Sequence, residues 1–219
     1  MKKQFSLLFI AAVVTSAIVS CNNADTKKET GTVSKQDTSF TISGTIKGLD
    51  SGWVMLVYTK GDSSFFDSAQ LTKGGSFTFK GNVAYPQLAT LAIKDEPNFE
   101  NTSMFYLENS AIAIDAIKDS IAKATVKGST SNDEFIKYNE GNKVYADRME
   151  ALSTSWQAAG NNIKLKDSLS KLADGIQKEM DDAAKKYIVT NPASYVAANK
   201  MQEVFSYNPN VQEFEKAYN

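Results

Sequence analysis

The chain has 219 residues, with 24 lysines and arginines against 25 aspartates and glutamates, no histidine and a single cysteine. This nearly neutral balance leaves no basic surface to neutralise a phosphate backbone, so nucleic-acid binding is excluded. The lack of histidine excludes the usual zinc and copper sites and Ser-His or Cys-His activation, and one cysteine cannot form a CxxC pair. We therefore expect no catalytic residues, no cofactor and no metal site.

The N-terminus has the order of a lipoprotein export signal. Lys2 and Lys3 precede an apolar run from Phe5 to Val19. This run is too short and too interrupted by hydroxyl residues to span a bilayer, which needs about 20 predominantly apolar residues. It ends in Ile18-Val19-Ser20-Cys21. We expect residues 1–20 to be a signal peptide removed before Cys21, and Cys21 to carry diacylglycerol and an N-linked fatty acid such as palmitate.

A lipidated Cys21 places the mature chain in the cell envelope, with the membrane as a partner through the lipid. Removing the signal leaves 22 basic and 25 acidic residues, a net charge of −3. Asn22 and Asn23, rather than an aspartate, follow the anchor, which favours the outer membrane; whether the chain faces the periplasm or the cell surface is left open. Residues 21–38 are polar and are predicted to form a flexible tether.

Residues 39–129 predict an antiparallel β-sandwich of about eight strands. The first strand is expected at 40–47, where apolar and polar residues alternate. Trp53–Tyr58 is a continuous apolar run, typical of a strand covered on both faces. Lys73-Gly74-Gly75 predicts a tight turn that joins strands at 65–71 and 76–81 into a hairpin. Further strands are expected at 88–93, 104–107, 111–117 and 121–127.

Several short motifs resemble those of a known module: Phe-x-Ile-x-Gly-x-Ile-x-Gly-Leu at 40–49, Phe66-Asp67-Ser68-Ala69, Gly75 to Gly81 (Gly-Ser-Phe-Thr-Phe-Lys-Gly), Pro86, Phe105-Tyr106-Leu107-Glu108-Asn109 and Val126-Lys-Gly128-Ser129. The region is similar to the uncharacterised β-rich N-terminal module, a domain of unknown function, of exported lipoproteins. There it usually precedes a thioredoxin-like domain of the thiol-disulfide interchange or peroxiredoxin-like type. With the helical segment included, the resemblance covers nearly the whole mature chain. It implies no redox residue here, because the chain stops at Asn219, where relatives would begin that domain.

Residues 130–219 have a helical period after the polar joint at 128–133. The first helix carries a stripe with one polar interruption: Phe135, Tyr138, Asn142, Tyr145, Met149, Leu152 and Trp156. After a break at 158–162, the second helix carries Leu165, Leu169, Leu172, Ile176, Met180, Ala183 and Tyr187 on one stripe. The short connection predicts an αα-hairpin. A third helix is expected over 194–205 and a short fourth over 209–218.

Four polar segments are candidate binding sites. Asp67-Ser68 could contact a ligand, but bonding to neighbouring backbone donors is favoured. Lys73-Gly74-Gly75 lacks the GK[ST] helix opening of a phosphate-binding loop. Residues 95–101 gather oxygen ligands suited to calcium, but lack the glycine and terminal glutamate of the known loop, so a solvated connection is favoured. Asp181-Asp182 is interpreted as part of a solvated helix face.

Three aromatic residues are candidate stacking surfaces. Trp53, Trp156 and Tyr85 could stack on a sugar or on a partner's aromatic ring. Trp53 heads an apolar strand and Trp156 lies on the first helix's stripe, so core packing is favoured for both.

Two functions are compatible with these features. The first is a lipid-anchored, non-catalytic binding or interaction module of the envelope. The alternative is the N-terminal accessory half of a thioredoxin-like thiol-disulfide oxidoreductase, whose redox domain is missing or on another chain. An envelope protein partner and a small-molecule ligand are both left open.

Overall fold

The computed structural model describes residues 38–94 and 101–207, together with residues 212 and 215. The predicted signal peptide, Cys21 and nearly all of the tether and of the predicted fourth helix lie outside this part of the chain. Within the described residues, eight strands precede three α-helices. The strands are β1 (Phe40–Lys47), β2 (Trp53–Lys60), β3 (Ser63–Gln70), β4 (Ser76–Gly81), β5 (Gln87–Ile93), β6 (Ser103–Leu107), β7 (Ala111–Ile117) and β8 (Thr125–Lys127).

The strands form two four-stranded sheets in a sandwich-like arrangement. The first sheet has the order β4-β1-β7-β8 and the second has the order β3-β2-β5-β6. All pairs are antiparallel except β1 and β7, which run parallel with Ile42 beside Ile112. The predicted α+β fold, a β-sandwich of about eight strands followed by helices, is confirmed. The parallel pair departs from an all-antiparallel sandwich. Parallel strands need a long connection, and β2 to β6 lie between β1 and β7 in sequence, so the chain can enter β7 in the direction of β1.

Alternate side chains of both sheets fill the space between them. Ile42 and Ile46 of β1 face Leu56 of β2 and Leu91 of β5 in one apolar cluster, and all four are fully buried. The expectation that the strand at 53–58 is covered on both faces is wrong. Its alternate residues are only half-buried and Trp53 is 45% exposed, because the helices cover only one end of the second sheet's outer face.

The predicted hairpin at Lys73-Gly74-Gly75 is present only as a turn. Gly75 N–H donates to the Thr72 carbonyl (2.9 Å), and Thr72 N–H donates to the Ser76 carbonyl (2.9 Å). Beyond this turn the strands separate, since β3 pairs with β2 and β4 pairs with β1 in the other sheet. The turn residues permit either arrangement, and the pairing partners come from distant parts of the chain.

The last strand is shorter than predicted, because residues 118–123 form a 3₁₀ helix (Lys118–Lys123) before β8 begins at Thr125. Ile121 is buried in the core rather than paired in a sheet. The Asn101 side chain holds this helix by accepting from Ile121 N–H (2.8 Å) and donating to the Lys118 carbonyl (2.7 Å). A distant amide thus replaces the ladder hydrogen bonds that a strand would have needed.

The helices are α1 (Thr130–Ala158), α2 (Ile163–Thr190) and α3 (Tyr195–Tyr207). Ser129 Oγ caps α1 by accepting from Asn132 N–H (3.0 Å), and Asn162 Oδ1 caps α2. Arg148 joins the two long helices through two bonds to Glu179 (2.5 and 3.1 Å). This is the predicted αα-hairpin. None of the described helices combines the length and apolar character needed to cross a membrane.

The apolar stripes of the hairpin are buried at some positions and exposed at others. Ile176 and Ile188 of α2 are buried, whereas Leu172 is exposed and Trp156 is 43% exposed. The prediction that Trp156 packs in the core is therefore wrong. The reason is that α3 packs beside the C-terminal half of α2, so a third layer covers only that half and the tip of the hairpin has none.

The hairpin is attached to the second sheet through α1. Asn132 is 2% exposed, and its Oδ1 accepts from Tyr106 N–H of β6 at 3.1 Å. The Tyr106 ring packs on Phe135 with centroids 5.4 Å apart. A buried polar group needs a partner, so this bond specifies where α1 begins relative to β6.

Candidate functional site

Three tyrosines lie where the sandwich meets the helices: Tyr106 of β6, Tyr138 of α1 and Tyr187 of α2. We call them the tyrosine cluster. The rings of Tyr138 and Tyr187 meet edge to face, with centroids 4.7 Å apart. Tyr187 Oη donates to Glu134 Oε1 at 2.5 Å, and Lys200 of α3 lies 5.3 Å from the centroid of the Tyr138 ring. Elements from both halves of the chain therefore assemble this cluster.

The cluster keeps its phenols protonated. Burial raises the pKa of Tyr187 to about 12, and the hydrogen bond and negative charge of Glu134 add to this effect, opposed by a hydrogen bond with Ser194. Burial also raises the pKa of Tyr106 and of Tyr138, with a further contribution from the charge of Glu203. At neutral pH these groups are hydrogen-bond donors, and they are poor general bases or nucleophiles.

Two grooves open on either side of Tyr138. The front groove, of about 770 Å³, lies between α1 and α2 and is lined by Thr130, Asp133, Glu134, Lys137, Tyr138, Gly141, Asn142, Ala183, Lys186, Tyr187, Thr190 and Asn191. The rear groove, of about 630 Å³, also touches α3 and is lined by Tyr138, Asn139, Asn142, Ala146, Gln177, Met180, Asp181, Ala184, Lys200, Glu203 and Val204. Both volumes fall in the range of about 300–1,000 Å³ that is usual for small-ligand sites.

The front groove is suited to holding a ligand. Its lining includes the Tyr138 and Tyr187 side chains, the exposed Lys137 and Lys186, and the acidic Asp133 and Glu134. Gly141 of α1 borders empty space in this groove, because a Cβ added there would have no neighbour within 4 Å. Aromatic faces with a few polar donors orient a small molecule without reacting with it.

The raised tyrosine pKa values predict a loss of stability at alkaline pH. The folded pKa of Tyr187, about 12, lies above the ordinary 10.0, so the folded state keeps a proton that the unfolded chain releases. This contribution is fully present below pH 10.0 and is lost as the pH rises through about 12. The free energy of unfolding in urea should therefore fall over this interval, and less steeply in Tyr187→Phe. The control is Tyr85→Phe, outside the cluster; an unchanged slope in Tyr187→Phe would contradict the assignment.

The comparison with known families covers the sandwich. Residues 40–135 match a family model, Domain of unknown function (DUF4369). No curated protein matches the chain. The DUF4369 region contains all eight strands and the first turn of α1, including Asn132 and Phe135. The match supports the resemblance to an uncharacterised β-rich domain. The front groove is lined partly by this region, through Thr130, Asp133 and Glu134, whereas all residues that line the rear groove lie beyond it.

Within the DUF4369 region, Asp67 and Ser68 lie in the edge strand β3. Asp67 Oδ1 accepts from Ser68 N–H at 2.8 Å, a local backbone bond of the kind favoured from the sequence. The negative charge of Asp67 also contributes to a raised pKa of Tyr58 on β2, after the larger effect of burial. Asp67-Ser68 is remote from the tyrosine cluster in the fold, since β3 and β6 are opposite edges of the second sheet.

The other two acidic segments considered from the sequence, residues 95–101 and Asp181-Asp182, do not form a metal site among the described residues. Of residues 95–101, weighed as a calcium loop, only Asn101 is described, and it holds the 3₁₀ helix. Asp182 pairs with Lys178 (2.6 Å), and Asp181 accepts from Gln177 (2.8 Å) on the same helix. Among the described residues no three cysteine, aspartate or glutamate side chains are grouped as metal ligands.

The three aromatic candidates are all accessible and lie apart from one another. Trp53 is approached by Lys94 (5.7 Å to the ring), and Trp156 by Lys166 (5.3 Å). Tyr85, half-exposed before β5, stacks on Tyr195 of α3 with centroids 6.5 Å apart. No two of these rings contact each other, so they do not form a joint stacking platform.

Sequence reasoning missed the tyrosine cluster, because Tyr138 and Tyr187 lie on apolar helix stripes and were interpreted as core. One signal was present: Asn142 interrupts the first stripe one turn after Tyr138 and lines both grooves. Its Nδ2 donates to the Tyr138 carbonyl at 2.7 Å. The polar residue in the apolar stripe therefore marked the part of α1 that lines the grooves.

Proposed function

We propose that this protein is a lipid-anchored, non-catalytic binding module of the cell envelope, attached through Cys21 to the outer membrane. The sequence supports the anchor: a basic start and a short apolar run end in small residues before the only cysteine. The helical half supports the binding role, through the two grooves beside the tyrosine cluster. The domain match supports a β-rich domain of unknown function over residues 40–135.

The observation that carries the binding role is the chemistry of the front groove. Its phenols remain protonated up to high pH, since the pKa of Tyr187 is about 12. They do not remove a proton from a substrate at neutral pH. The Tyr187 hydroxyl donates its one proton to the Glu134 carboxylate, so these two side chains are already hydrogen-bonded to each other. These groups favour holding a ligand over transforming it.

The same groups restrict the class of ligand. A ligand with an oxygen acceptor could take a hydrogen bond from the groove, and a flat or apolar portion could lie on the Tyr138 ring. Lys137 and Lys186 lie on facing helices, but Asp133 and Glu134 line the same groove, so its formal charges balance. We therefore propose a small molecule with oxygen acceptors and an apolar portion.

Native mass spectrometry of the protein purified from envelopes of cells that express the full precursor tests both parts. We expect a polypeptide that begins at Cys21 with the added mass of its acyl chains, and a non-covalently bound small molecule. Gly141→Leu should lose that bound mass, because leucine fills the open wall of the front groove.

The matched control is Gly175→Leu, at a helical glycine of α2 that also has no neighbour within 4 Å and does not line either groove. Retention of the ligand in Gly141→Leu, or its loss in both variants, would contradict the assignment to this groove. A mature chain with an unmodified Cys21 would contradict the anchor, whatever the result for the ligand.

The alternative remains a proposal: an accessory half of a thioredoxin-like oxidoreductase whose redox domain is on another chain. The observation that favours it is the exposure of large apolar residues on the outer face of the second sheet, such as Phe66 and Met104, which a further domain could cover. Insulin reduction separates the two functions. We expect no turnover by the mature chain alone, and stimulation of a separate thioredoxin-like protein only if the alternative holds.

A further inference from the structure

Strands β3 and β4 border an open cleft between the edges of the two sheets. It has a volume of about 370 Å³ and is lined by Asp67, Ser68, Ala69, Gln70, Thr72, Ser76, Phe77, Thr78, Phe79 and Lys80. We call it the edge cleft. It is closed at one end by the turn at 71–75, and it widens where each strand pairs into a different sheet. Each border strand pairs on one side only.

The register shows which main-chain groups of β3 face the cleft. Leu71 N–H donates to the Gly52 carbonyl across the β2–β3 ladder (2.9 Å), and the pairing continues with Gln70 opposite Trp53. In an antiparallel ladder, main-chain groups point alternately toward and away from the partner. Those of Ser68 and Gln70 therefore point away from β2. Ser68 N–H is satisfied by the Asp67 carboxylate, but the neighbouring donors and acceptors have no ladder partner.

The same reasoning applies to β4. Ile46 N–H donates to the Gly75 carbonyl (2.9 Å), and Gly44 lies opposite Phe77. The main-chain groups of Thr78 and Lys80 therefore point away from β1 and into the cleft. Two strand edges with unpaired main-chain groups thus border one gap, which is the chemistry that recognises an extended polypeptide.

Asp67 adds a charge to this gap. It lies opposite Leu56, a fully buried core residue, so its side chain is on the inner side of the edge strand. It is half-buried, and none of the ion pairs formed by the described residues includes it. An inward carboxylate on an edge strand discourages pairing with apolar strands. A strand that brings a positive charge to the same place would be accepted instead.

We propose that the edge cleft binds an extended peptide strand of a partner protein that carries a lysine or arginine opposite Asp67. The strand adds to a free edge through main-chain hydrogen bonds. Its inward side chains, apolar apart from the basic residue, lie beside Phe77 and Phe79, and its outward side chains are polar, like Thr78 and Ser76. This site is separate from the front groove, so it goes beyond the proposed function and does not depend on it.

The probe is the peptide Thr-Val-Thr-Lys-Thr-Val-Thr-amide, labelled with fluorescein at its N-terminus, added to the mature chain and followed by fluorescence anisotropy. Its valines and lysine share one face. We expect saturable binding that weakens about twofold to fivefold in Asp67→Asn, the range for a partly exposed charge pair. Asparagine keeps the acceptor for Ser68 N–H, so the strand is preserved. The same peptide with glutamate in place of lysine should bind wild type more weakly and discriminate less between wild type and Asp67→Asn.

A proline pair locates the binding. Thr78→Pro removes a donor that faces the cleft without breaking a bond to β1, and it should weaken binding at least as much as Asp67→Asn. Ser64→Pro is the matched control, since Ser64 also points its main-chain groups away from β2 but does not line the cleft. Equal binding to wild type, Asp67→Asn and Thr78→Pro, or no binding at all, would overturn the proposal. Binding that appears only after removal of residues 21–37 would also overturn it, because the chain's own tether would then be the occupant.

Discussion

Replacing Phe105 with alanine is expected to lower the free energy of unfolding by about 3–5 kcal/mol, the largest effect that we predict. Phe105 is 0% exposed in the middle of β6, opposite Ala89 of β5. Removing its ring leaves a cavity between the two sheets in addition to the lost apolar burial. Urea unfolding of the mature chain, followed by circular dichroism, measures the change.

The control for this prediction is the preceding residue. Met104 is 58% exposed, because it points to the outer face of the same strand. Met104→Ala should change the free energy of unfolding by less than about 0.5 kcal/mol. Similar losses in both variants would show that the side-chain alternation of β6 is wrong.

Replacing Gly75 with alanine is expected to lower the free energy of unfolding by about 2–5 kcal/mol, the sum of backbone strain and steric overlap. The φ angle of Gly75 is 75°, a conformation that L-residues rarely adopt. A Cβ at this position would also lie 2.2 Å from the Ile46 carbonyl oxygen and 2.7 Å from that of Leu49. Because these atoms belong to the backbone, they cannot move aside without disturbing β1.

The adjacent Gly74 separates the two causes. Its φ angle is also positive, at 86°, but a Cβ there would meet nothing within 4 Å. Gly74→Ala should therefore lose only the conformational part, about 1–2 kcal/mol. Equal losses at Gly74 and Gly75, measured by the same urea unfolding, would exclude the close approach to β1 as a cause.

Most strands and helices could be predicted from local patterns. The alternation at Phe40, Ile42 and Ile46 appears in the structure as one buried face of β1. The helical stripes that begin at Phe135 and Leu165 belong to the two helices of a hairpin. These elements are predictable because a strand or helix exposes a regular set of positions to one side, and the apolar residues follow that period.

The pairing of the strands was less predictable. A glycine turn joins β3 to β4, yet the two strands enter different sheets, and β1 lies beside β7, which is about 70 residues away in sequence. The prediction that Trp53 and Trp156 pack in the core was wrong for a related reason. An apolar residue is buried only when another element covers it, and no local pattern states whether a third layer reaches that position.

The candidate site depends on the same long-range packing. Tyr106 would be an exposed residue on the outer face of its strand if the first turn of α1 did not lie over it. Asn132 accepts its N–H, and Tyr187 and Glu134 approach from two helices. Apart from Asn142, nothing in the sequence near these residues distinguishes them from core positions. Their raised pKa values result from burial that three separate segments produce together.

The sequence by itself determined the fold class and the order of most elements. Its single cysteine and lack of histidine also exclude a CxxC pair and any histidine ligand or base. The tertiary structure decided which edges stayed unpaired, which apolar faces stayed exposed and where the tyrosines met. The physical reason is one of range. Periodicity and turn residues act over a few neighbouring positions, whereas burial, hydrogen-bond partners and pKa values depend on which distant segments pack together.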